Sequence, residues 1–167
     1  DLISQGCGGT GSEVAYEFDL DAPAALEIRT DFPETTVDTV VYLQSSCGQI
    51  DAELGCNDDS GADKGSRLFI PRVEAGSYFI IVDTHPGQSG DFSLQLTTTI
   101  PEGESCDAQS PNCAANLECL GGAGNATCQV PPTGPTCDDN GTVRQKNVPV
   151  AGDLVISEYM ANPNEVA

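Results

Sequence analysis

The chain has 167 residues, 26 of them acidic and 6 basic, for a formal net charge of -20. A surface of that sign repels nucleic acid and anionic lipid, which excludes both as expected partners, and it attracts cations. Eight cysteines against one histidine predict disulfides rather than zinc ligation, since no Cys-x2-Cys pair occurs. The expected setting is oxidising: cell surface, extracellular medium or periplasm. No stretch approaches the roughly 18 apolar residues of a membrane-spanning helix, so no membrane insertion is expected. Asp1 opens the chain without a basic and apolar leader, which reads as a mature chain or an excised fragment.

Residues 1 to about 100 read as the main domain. In Glu13–Leu20, Val14, Tyr16, Phe18 and Leu20 alternate with Glu13, Glu17 and Asp19, the period-two pattern of a half-buried strand. After the Asp21–Pro23 turn, Leu26 and Ile28 continue the inward face. Asp38–Leu43 is more continuously apolar and predicts a central strand covered on both sides. Three further alternating strands follow: Leu68 with Ile70, then Tyr78, Ile80 and Val82, then Phe92, Leu94 and Leu96. Glu74–Gly76 and Pro86–Gly90 supply turn chemistry between them. No window keeps a 3.6-residue period. Six or more short strands with this punctuation predict an all-β fold, an antiparallel sandwich.

Residues 101–131 hold Cys106, Cys113, Cys119 and Cys128 among few large apolar side chains. Such a segment needs covalent bonds, and it reads as a small disulfide-rich appendage. Nearest-neighbour and interleaved pairings are both open, with the interleaved Cys106–Cys119 and Cys113–Cys128 preferred. Residues 132–150, rich in Pro, Gly, Thr and Asp, predict an extended linker that carries Cys137. Residues 151–167 begin with GDLVISEYMANPNE. That run resembles the opening strand of a lamin-tail domain, of which the remainder is missing. An unpartnered apolar strand at a chain end folds back on an edge or adds to a neighbour's sheet, which makes self-association an expectation.

The ordered pieces YEFDLDAP, VDTVVYL, CNDD, SRL, AGSYFIIVD and GDFSLQL over residues 10–98 resemble the bacterial pre-peptidase C-terminal (PPC) domain. The resemblance implies a jelly-roll-like β-sandwich, sometimes calcium-stabilised and related to the collagen-binding domains of secreted collagenases. Its role would be that of a non-catalytic module of an extracellular or bacterial surface protein. It also implies a Cys47–Cys56 bridge, as in variants from large cysteine-rich surface proteins. Closing a loop of about ten residues contributes roughly 2.5–3 kcal/mol on the chain-entropy account. Cys7 and Cys137 are then left over, either bonded to each other or to another molecule. An alternative role is the accessory or maturation-removed C-terminal segment of a secreted hydrolase.

Asn57, Asp58, Asp59, Ser60 and Asp63 place oxygen ligands closely in a Gly-containing loop, the raw material of a calcium site. The metal-ligand set is taken as Asn57, Asp58, Asp59 and Asp63, with Asp38 and Asp83 as weaker additions from strand ends. The bland reading is an Asx-rich turn after Cys56. The single histidine, His85, is expected to be a surface loop residue, and GQSG around Ser89 lacks the strand-turn-helix context of a hydrolase elbow. Tyr16 and Tyr78 are assigned to the core, which leaves Tyr42 and Tyr159 as surface aromatics. With no tryptophan, a sugar-stacking or collagen-gripping surface has little material. Asn125 and Asn140 head formal glycosylation acceptors that read as turns.

Overall fold

A computed structural model describes residues 6–60, 64–109, 111–122, 124–131, 136–139 and 142–145. The chain divides into two compact units, residues 1–131 and residues 132–167. The first unit contains β1 (Val14–Leu20), β2 (Ala24–Arg29), β3 (Thr39–Gln44), β4 (Glu53–Asn57), β5 (Arg67–Val73), β6 (Gly76–Thr84), β7 (Gln95–Thr99), β8 (Glu118–Leu120) and β9 (Thr127–Gln129). All paired strands run antiparallel, and the protein is all-β among the described residues.

Two sheets make the sandwich, one ordered β1-β6-β3-β4 and the other β5-β2-β7. Only the β3–β4 connection stays within its sheet, and every other link from β1 to β7 crosses between sheets. The shared core interleaves Leu26 and Ile28 of β2 and Leu68 and Val73 of β5 with Val41 and Leu43 of β3 and Tyr78, Ile80 and Val82 of β6. Full burial of a side chain of this size contributes about 1.5–3 kcal/mol before entropy is counted. Tyr78 also closes the β5–β6 turn, its hydroxyl donating to the Glu74 carbonyl at 2.9 Å. Pro71 is tolerated because β5 lies at a sheet edge.

Some strands follow the sequence pattern and others depart from it for an identifiable reason. β3 is buried along its whole length, as its continuous apolar character predicts. Its second cover is the N-terminal segment: Val40 and Tyr42 of β3 and Ile81 of β6 form a smaller core on the outer face, with Cys7, Cys56 and Phe79 packed on it. Tyr42 is therefore fully buried rather than a surface aromatic. Tyr16 does take the core-facing side, paired with Ile80, yet stays 41% exposed. It sits on edge strand β1 of a four-stranded sheet faced by only three strands, so the opposite sheet does not reach it. Phe92 and Leu94 pack on the core but precede the ladder of β7. The backbone around them is engaged elsewhere, since Thr36 N donates to the Asp91 carbonyl at 2.8 Å and Ser93 N donates to Thr35 Oγ1 at 3.3 Å. β4 was not legible as a strand. Its five residues, ELGCN, are short and contain glycine.

Cys56 bonds Cys7, not Cys47. Cys56 lies opposite Tyr42 in the β3–β4 ladder and belongs to the outer-face cluster where the N-terminal segment rests. Cys47 is free and exposed beyond the end of β3. The observed bridge also excludes a Cys7–Cys137 bond. With a separation of 49 residues, it closes a longer loop and contributes about 4 kcal/mol on the chain-entropy account. In the appendage the interleaved pairing holds, Cys106–Cys119 and Cys113–Cys128. The appendage continues directly from β7: Ile100 N donates to the Asn112 carbonyl at 2.7 Å and Ala114 N donates to the Ile100 carbonyl at 2.8 Å. Arg72 of β5 reaches both Glu74 at 2.6 Å and Glu104 at 2.7 Å.

In the second unit, β10 (Thr136–Asp139) and β11 (Thr142–Gln145) pair antiparallel where an extended linker was expected. The lamin-tail-like run over 151–167 lies outside the described residues.

Candidate metal centre

Antiparallel pairing fixes which strand ends meet. β3 runs opposite to both β4 and β6, so the start of β3 and the ends of β4 and β6 lie at one end of the sheet. Asp38 precedes β3, Asp58 follows β4 and His85 follows β6. Their ligand atoms, one from each side chain, all lie within 4.8 Å of one another. His85 Nε2 and Asp58 Oδ1 are 3.0 Å apart, with the two side chains about one-third exposed. Asp38 Oδ1 is buried and has no hydrogen-bond partner among the described residues.

The backbone beneath this cluster is held by buried hydroxyls. Thr30, Thr39 and Ser66 are fully buried. Ser66 N donates to Thr30 Oγ1 at 2.8 Å, and the Thr30 and Thr39 hydroxyls are 2.7 Å apart. Ser66 Oγ lies against the carbonyls of both Thr39 and Asp58, so one proton is shared between the strand that carries Asp38 and the turn that carries Asp58. Buried polar groups that satisfy each other in this way specify one arrangement of the segments they join.

The acidic loop itself is used differently from the ligand set read in the sequence. Asn57 Oδ1 accepts from Arg67 N at 2.8 Å, capping the start of β5. Asp58 turns to His85 and Asp38. Asp59 is exposed, and Ser60 Oγ donates to Asp31 Oδ2 at 3.3 Å. Asp63 lies outside the described residues. Sequence reasoning identified Asp58 and Asp38 but set His85 aside as a plain loop residue. The signal that could have found it was the placement of all three at the ends of mutually antiparallel strands.

Asp83 does not join this group. Directed to the outer face of β6, it is fully buried beneath the N-terminal segment. Its Oδ1 accepts from Thr84 N at 2.6 Å, while Oδ2 has no hydrogen-bond partner among the described residues. Burial raises its pKa against the opposing help of the Thr84 amide. The Tyr42 hydroxyl, also buried and without a hydrogen-bond partner among the described residues, has its pKa raised first by burial and then by the Asp83 charge. Gly11 N and Ser12 N bind Thr84 at 2.9 and 3.1 Å, which closes the lid over Asp83. Gly9 is required there: its φ is +83°, and a Cβ would lie 2.7 Å from Asp83 Oδ2.

A third close group, Cys106, Cys113 and Cys128, is spent in the two appendage disulfides and offers no thiolate to a metal. Compared with family models, with curated proteins and with solved structures, the chain matches none.

Proposed function

We propose that this chain is a non-catalytic binding or structural module of an extracellular or bacterial surface protein, of the kind the PPC resemblance implies. The observation that carries this reading is the covalent closure of the fold. One disulfide straps the N-terminal segment over the outer face of the main sheet, and two interleaved disulfides close the appendage that follows β7. Such staples form and persist in oxidising surroundings and are rare in reducing ones. The pieces that carry the resemblance also fall in strand order: VDTVVYL runs into β3, CNDD ends β4, SRL starts β5 and AGSYFIIVD forms β6. Partner candidates are an extracellular protein or a second copy of the chain, joined through residues near the C-terminus.

The test is to screen the purified oxidised chain against peptide and glycoside substrates while following its resistance to a general protease. The reading expects no turnover, and a resistant fragment spanning residues 6–131 that is trimmed back to the sandwich, ending near residue 100, when disulfides are reduced. Substrate turnover would overturn it. Sedimentation over a hundredfold concentration range separates the two partner candidates, since self-assembly makes size rise with concentration.

A further inference from the structure

We propose that Asp38, Asp58 and His85 bind a single divalent transition-metal ion of the zinc class, tying together three strand ends at one end of the main sheet. The proposal goes beyond the module reading and stands independently of it. Two observations carry it. The three ligand atoms already lie within 4.8 Å of one another; the Thr30–Thr39–Ser66 hydroxyls join the segments of Asp38 and Asp58, and the β3–β6 ladder, with Thr39 opposite Thr84, places that of His85. A tetrahedral ion with bonds of about 2.0–2.2 Å holds its ligand atoms roughly 3.4 Å apart, so small side-chain rotations complete the geometry. Second, Asp38 Oδ1 is buried without a hydrogen-bond partner among the described residues. A single imidazole ring bonded to Asp58 leaves that oxygen uncompensated, whereas one dication balances both carboxylates.

The donor set decides the class of ion. Calcium takes six to eight oxygens, while imidazole with carboxylates suits zinc and its neighbours. Asn57, the nearest amide oxygen in the sequence of the loop, is already committed to the Arg67 amide. Three protein ligands leave a coordination position for water or for a donor from a bound molecule. The strongly acidic surface adds a field that concentrates cations around the site.

The test uses the full oxidised chain, stripped by chelator, with Cys47 and Cys137 replaced by Ser so that thiols do not compete. Zinc chloride is titrated by calorimetry, and cobalt(II) is followed by its visible absorption. The expected result is one equivalent bound, a tetrahedral cobalt spectrum, and a rise in Tm of roughly 6–10 °C at a hundredfold excess over Kd. Calcium and magnesium at the same concentration should give no such rise. His85→Gln and Asp58→Asn should each weaken zinc at least about tenfold. Asp59→Asn, an exposed carboxylate in the same loop, should leave it unchanged, and the metal-free Tm of every variant reports whether it folds. The site is overturned by absence of saturable zinc binding, by zinc affinity that survives His85→Gln in a folded variant, or by calcium binding as tightly as zinc.

Discussion

The sandwich and the appendage belong to one compact unit but are held by different physics. The sandwich buries Leu26, Ile28, Val41 and Leu43 completely between its sheets, and its single disulfide lies outside that core, on the outer face. Among the described residues of the appendage the buried hydrophobic side chains are Ala114, Ala126 and Cys128, too little apolar surface for a core, and its two bridges span 13 and 15 residues. The sandwich therefore survives loss of a covalent bond at some cost, whereas the appendage has nothing to fall back on. Thiol chemistry should act on the two regions separately.

The largest effect should come from the apolar core. Ile28→Ala removes a fully buried side chain from the core between the sheets and should cost about 2–5 kcal/mol, read as a lower urea midpoint with the slope unchanged. Loss of the Cys113–Cys128 bridge should read differently. The double Ser variant loses about 3 kcal/mol of unfolded-state constraint on the chain-entropy account, but locally. Hydrogen exchange should accelerate from residue 101 to 131 while β2, β3 and β6 keep their protection. A matching collapse of protection in the sandwich would show that the two regions unfold as one.

The difference between these regions was partly legible in the sequence, because each kind of stabilisation has its own signature. Alternation placed Leu26, Ile28, Leu68, Ile80 and Val82 on core-facing positions, and cysteine density marked the appendage. What failed depended on long-range placement. Tyr42 looked like a spare aromatic because the segment that covers it lies more than thirty residues upstream in the chain. Cys56 sits nearer Cys47 in sequence, yet its side of β4 faces the N-terminal segment. At the candidate centre, local composition exposed the two carboxylates. The histidine joined them only through strand pairing, which no window of sequence contains.

Within the sandwich the same contrast can be sharpened at the N-terminal lid. Gly9→Ala forces a side chain into a left-handed backbone position and against the buried Asp83 carboxylate. It should destabilise by about 1–3 kcal/mol through the lid alone. The expected signature is faster reduction of Cys7–Cys56 with the appendage disulfides unaffected, measured by timed thiol labelling and mass spectrometry. Unchanged reduction would mean that the bridge, not the glycine contact, holds the lid.

The smallest effect belongs to the surface of the sandwich and tests whether charge contributes at all beside burial. Arg29 lies 2.6 Å from Asp31, and the guanidinium hydrogen bond holds the Asp31 pKa below its ordinary value despite partial desolvation. A carboxyl whose folded pKa is depressed binds protons less readily when folded than when unfolded. Its stabilisation is complete above the unfolded value, near pH 4, and is lost as pH falls through the folded value. Asp31→Asn should therefore lower stability slightly at pH 7 and converge with the parent chain as the solution is acidified below that window. Parallel urea titrations of the two proteins at several pH values check this. A gap that persists in acid would assign the effect to the Ser60 hydroxyl, which also donates to Asp31, and not to its charge.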